Sequence, residues 1–145
     1  MANDLFRQFE NGTVVNTGRE IDIRRFGWKK HKEFAGVFLK DLITADQTAE
    51  LFTCHLVRIE PNCKIGMHTH PEKMELHEVI QGDGICRMGW GEVRYVPGTM
   101  AVIDCNAPHE VQAGAERLCL FAKFITVPAE NRLSEILPES CRDGA

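Results

Sequence analysis

The sequence predicts an all-β fold, a sandwich or barrel with short helical pieces at its two ends. Two observations carry that prediction. Short runs rich in Val, Ile, Leu and Phe recur from about residue 34 to residue 127. Turn-forming groups separate them, at Pro61-Asn62, Gly82-Asp83-Gly84, Pro97-Gly98 and Asn106-Ala107-Pro108. No repeat, low-complexity tract or linker divides the 145 residues, so a single domain spanning 1–145 is expected.

The elements follow in order. Leu5, Phe6 and Phe9 have helical spacing and predict a short N-terminal helix or packed arm. From Ile21 onward the pattern changes to strands. Candidates are 34–42, 51–60, 65–70, 74–81, 85–90, 92–96, 100–104, 109–113 and 117–127. After Pro128, residues 129–137 place Leu133, Ile136 and Leu137 on one helical stripe, which predicts a short docked C-terminal helix.

Composition excludes several classes of function. The formal net charge of -4 argues against nucleic acid, whose backbone needs a basic face. No apolar run approaches the ~20 residues that span a bilayer. The N-terminus carries Asp4 early and lacks an apolar signal core, so a cytoplasmic location is expected. Six cysteines lie scattered without a C-x-x-C pair, and most of them read as reduced, small buried side chains. Cys105, near His109, is the one of chemical interest.

Four residues suggest a metal centre. His68 and His70, two apart on an extended strand, project from one face. Glu75 can meet them from the next strand, and His109 can arrive from a strand distant in sequence. Three neutral imidazoles and one carboxylate suit a divalent ion, with two octahedral positions left open. The carboxylate also offsets part of the buried charge.

These residues carry a resemblance to the cupin family. Its first motif, G-x5-H-x-H-x(3,4)-E-x6-G, is matched by Asn62-x5-His68-x-His70-x4-Glu75-x6-Gly82, with Asn62 for the leading glycine. Its second, G-x5-P-x-G-x2-H-x3-N, is matched more loosely. Gly98 and His109 keep their separation, while Asp104, Asn106 and Ala113 replace the proline, glycine and asparagine.

The resemblance implies a double-stranded β-helix (cupin, jelly-roll) barrel with its core at about 34–127. It implies one divalent metal per chain, iron, manganese, zinc or nickel, held by His68, His70, Glu75 and His109. It also implies a homodimer, with 34–42 a candidate for strand exchange. Within the family these ligands serve dioxygenases, isomerases, lyases and decarboxylases. The expected function is therefore a metal-dependent enzyme acting on a small organic molecule, the alternative a non-enzymatic ligand-binding or sensing barrel.

Several residues could add chemistry. His77 shares a strand face with Glu75, as a general base, a substrate anchor, a fifth ligand or a residue that orients a ligand. Glu72 and Glu78 are expected to face solvent. Lys123, in an otherwise apolar strand, either meets a carboxylate-bearing ligand inside or snorkels from the outer wall, the commoner outcome. Arg87 carries the same ambiguity. Tyr95, the only tyrosine, is expected to pack at the barrel rim, away from any cysteine. His31 and His55 read as surface or satisfied core residues, and Trp28, Phe34, Phe38 and Phe52 as core or interface.

Overall fold

A computed structural model describes residues 4–131. A single-turn helix, α1 (Leu5–Glu10), is capped by the Asp4 carboxylate, which accepts from the Arg7 N–H. A small hairpin follows, β1 (Thr13–Val15) with β2 (Glu20–Asp22), in a stretch where no strand is expected before Ile21. Then come β3 (Lys29–Lys30), β4 (Val37–Ile43), β5 (Phe52–Ile59), β6 (Lys64–His68), β7 (Lys73–Gln81) and β8 (Gly84–Met88). The last strands are β9 (Gly91–Tyr95), β10 (Met100–Ile103), β11 (His109–Ala113) and β12 (Leu118–Thr126).

Each of the nine expected strands is present, with its ends shifted by at most three residues. The expected 34–42 strand starts at Val37, because Gly36 turns the chain with φ +75. Of the expected C-terminal helix, only a 3-10 turn at Ala129–Asn131 falls within the described residues. Leu133, Ile136 and Leu137 lie outside them.

The strands form two facing antiparallel sheets. One has the order β10-β7-β12-β5-β4-β3, the other β6-β11-β8-β9. Between them lie Val37, Val57, Ile59, Val79, Leu120 and Ala122 from the larger sheet, and Cys86, Tyr95, Val111 and Ala113 from the smaller. A second core lies on the other side of the larger sheet, where Phe6, Ile21 and Ile23 of the N-terminal arm cover Leu42, Cys54, Leu56 and Cys119. Burial on both faces explains the near-continuous apolar run of β12.

The turn glycines are needed for different reasons. Gly82 has φ +93, and a β-carbon there would sit 1.9 Å from the Arg117 carbonyl oxygen. Gly84, without a positive φ, serves close approach instead, since its β-carbon would lie 2.4 Å from the Gln112 oxygen. Asn62, standing for the first motif's glycine, adopts φ +62, as its left-handed turn requires.

Of the described cysteines, Cys54, Cys63, Cys86 and Cys119 are free thiols. Burial pushes the Cys54 and Cys119 thiols up to about 11 and about 12, so neither ionises near neutral pH. No helix among the described residues is long and apolar enough to cross a membrane.

Candidate metal centre

The expected ligands converge at one end of the space between the sheets. His68 closes β6, and His109 opens β11 directly opposite it in the ladder. His70 follows β6 in a loop whose carbonyl accepts from the Asn106 N–H at 2.9 Å. That bond ties the first motif to the second. Asn106, in place of the family's glycine, adopts φ +63 and turns the loop toward His109. Glu75 reaches in from β7, on the inward face it shares with His77 and Val79.

Ring centroids of His68 lie 4.2 Å from His109 and 4.8 Å from His70. One donor atom from each of His68, His70, Glu75 and His109 falls within 4.8 Å of all the others. Two of the rings are oriented from behind by backbone. His68 Nδ1 is 2.7 Å from the Gly66 carbonyl and His109 Nδ1 2.9 Å from that of Ala107. A carbonyl can only accept, so both Nδ1 atoms carry hydrogen and both Nε2 atoms turn to the cluster.

A divalent ion fits this donor set. His70 Nε2 is buried and has no hydrogen-bond partner, a costly arrangement for a polar atom unless something else engages it. The charges agree with that reading. Burial lowers the pKa of His68 and His70, which favours the neutral, ligating imidazole. Burial alone would raise Glu75, but bonds from His109 and His77 outweigh it and hold the carboxyl well below its usual range.

His109 behaves differently. Burial pulls its pKa down, yet the bond to Glu75 Oε1 at 2.8 Å and the Ala107 carbonyl raise it above the ordinary value near 6.5. In the metal-free protein this pair stabilises fully below the unfolded-state value and loses its contribution as pH rises through the folded-state value. Metal must displace that proton. The apparent affinity for Co2+ is therefore expected to fall by about tenfold for each pH unit below the folded value. Chelator competition between pH 6 and 8 checks this; a flat profile contradicts it.

Other candidate residues lie in places the chain pattern only partly foretold. Lys123 sits on the outer face of β12 beside Phe121 and pairs with Glu78, so it does not reach the cluster. Glu78 is accordingly half-buried rather than free in solvent. Arg87 turns to the outer side of β8, bonded to Glu92, Glu110 and Gln112 at 2.8–2.9 Å. His31 accepts from the Glu33 and Phe34 N–H groups. His55 bonds Asp41 and Thr53 at 2.9 and 3.0 Å, a satisfied residue as expected. Cys105 is buried in the loop between β10 and β11.

Tyr95 corrects an expectation. It is not at the rim but fully buried, with its hydroxyl 2.8 Å from His77 Nδ1, in the same buried cluster as Cys86. The available signal was the alternation in β9, where Glu92 and Arg94 face out and Val93 and Tyr95 face in. The proline-glycine turn that follows masked it.

A comparison with curated proteins gives no match. Solved structures give many. A predicted oxalate decarboxylase from Thermotoga maritima superposes with a TM-score of 0.67 at 16% identity, covering 74% of this chain and 98% of its own. A cupin-2 domain from Rhodospirillum rubrum gives 0.64 at 14%, covering 85% and 88%. A cupin-superfamily sugar phosphate isomerase from Silicibacter pomeroyi gives 0.62 at 19%, covering 76% and 77%. Residues 55–122, from within β5 to within β12 and including all four clustered residues, match the family model of the cupin domain. Residues 55–122 of the chain are a cupin domain.

Proposed function

We propose that the protein holds one divalent metal ion through His68, His70, Glu75 and His109 and uses it to act on a small organic molecule. The observation that carries this reading is the buried, unpartnered Nε2 of His70 beside three other donors already turned to a common point. When bound, the ion would supply Lewis acidity, or redox chemistry if it is iron, at the positions four ligands leave open. The chain's own residues set the rest of the site. Phe34 stands 6.4 Å from the His68 ring and Phe124 5.0 Å from the His70 ring, apolar walls that limit water. Beyond Phe124, His55 lies on the same face of the larger sheet, opposite Ala122, with both ring nitrogens engaged by Asp41 and Thr53.

This arrangement suits a compact ligand whose oxygen atoms chelate metal. Two structural neighbours carry names of that kind, an oxalate decarboxylase and a sugar phosphate isomerase. Isomerase, lyase or decarboxylase chemistry is the reading we favour, and dioxygenase chemistry is an outcome of the test. The second reading, a ligand-binding barrel without catalysis, draws support from His77, whose two ring nitrogens are both engaged and so unready to take a proton.

The test is elemental analysis of protein purified without a histidine tag or chelator. About one ion per chain is expected. Manganese, nickel or zinc leads to screens with small oxygen-rich acids and sugar derivatives; iron leads to oxygen-uptake assays. No metal, even after anaerobic reconstitution, defeats the proposal.

A further inference from the structure

A file of four buried residues runs from the ligand cluster across to the opposite sheet. Glu75 is 4% exposed, His77 3%, and Tyr95 and Cys86 0%. Glu75 Oε2 lies 3.1 Å from His77 Nε2. His77 Nδ1 lies 2.8 Å from the Tyr95 hydroxyl, and Cys86 packs in the same buried cluster as Tyr95. His77 belongs to β7 in the larger sheet, Tyr95 and Cys86 to β9 and β8 in the smaller. Their rings meet at 90° with centroids 5.8 Å apart.

Counting donors and acceptors places the protons. An ionised carboxylate only accepts, so His77 Nε2 must carry the hydrogen it gives to Glu75. A second imidazolium beside Glu75, already paired with His109, would bury an uncompensated charge. His77 is then a neutral ring with a bare Nδ1, and the phenol is the donor that reaches it. In this arrangement Glu75, His77 and Tyr95 each find a partner.

We propose that Tyr95 is a positioning residue of the metal centre. By donating to His77 Nδ1 it holds His77 as the Nε2–H tautomer. His77 in turn pins Oε2 of Glu75, and Oε1 is left facing the imidazoles, 2.8 Å from His109 Nε2 and 3.7 Å from His70 Nε2. The inference rests on the metal reading above, and it narrows the roles open to His77 to one. A carboxylate held at one oxygen meets an ion with the other, whereas a free one can rotate to bind through both.

Two measurements test it. In metal-free protein with ¹⁵N-labelled histidine, long-range ¹H–¹⁵N spectra are expected to show His77 protonated at Nε2, and Tyr95→Phe to shift it toward a tautomer mixture. Hydrogen on Nδ1 in the unaltered protein overturns the proposal without reference to metal. Cobalt titration then reads the consequence. Tyr95→Phe is expected to weaken Co2+ binding by about 10- to 100-fold and to alter its visible absorption bands. His77→Gln, whose amide can still donate to Glu75, should bind more tightly than His77→Leu. Unchanged cobalt affinity and spectrum in Tyr95→Phe overturn the proposal. An unaltered protein that takes up no cobalt defeats the metal reading instead, while the tautomer is still decided by the metal-free spectra.

Discussion

Replacing either His68 or Glu75 by alanine is expected to drop bound metal from about one ion per chain to near none while leaving a folded β-protein. Each substitution deletes one donor of four and leaves the apolar core between the sheets in place. The two variants should nevertheless differ when metal-free. His68→Ala frees only the Gly66 carbonyl at a half-buried position. Glu75→Ala removes a 4%-exposed carboxylate that accepts from both His109 and His77. Each buried donor left without a partner costs roughly 1–3 kcal/mol, so the Glu75 variant should melt several degrees below the His68 variant. Elemental analysis and thermal melts check both parts. Full metal content in both variants overturns the ligand assignment.

The second large effect lies far from the metal. Gly82→Ala is expected to destabilise the protein by about 3 kcal/mol, a melting-temperature drop of roughly 10 °C. Two independent penalties combine there. The residue sits at φ +93, which side chains with a β-carbon rarely adopt, and the added carbon would stand 1.9 Å from a backbone oxygen that cannot rotate away. Gly89→Ala is the control, because its β-carbon would meet nothing within 4 Å. Equal melting temperatures for the two variants contradict the argument.

Much of this was legible from residue order. Alternation and turn chemistry located the nine barrel strands, because each is bounded by a residue whose backbone need is local, such as Asn62, Gly82 or Gly98. The cluster of His68, His70, Glu75 and His109 was legible because two of its members stand two apart in the chain, although His70 lies in the loop just past the end of β6. What could not be read was set by packing across long separations. The hairpin at β1 and β2 is three residues per strand, too short to show a period. Its Ile21 is buried because it meets the outer face of a distant sheet. Tyr95 was misplaced for the same reason: its neighbours, His77 and Cys86, lie on two other strands. A lysine in an apolar strand, Lys123, gave a correct outward reading but no hint of its partner Glu78, 45 positions earlier.

The order of the larger sheet has a consequence for how the chain is made. The strand between β7 and β5 is β12, synthesised after every other described strand. Until it arrives, β5 and β7 each present an unpaired edge to the gap it will fill. The pairing that closes the gap joins Leu120 to both Val57 and Val79, contacts that span 63 and 41 positions. A nascent chain ending before Leu118 therefore lacks the central strand of its larger sheet, and its open edges are the part most exposed to wrong pairing. The barrel is completed from the middle outward, by its final strand.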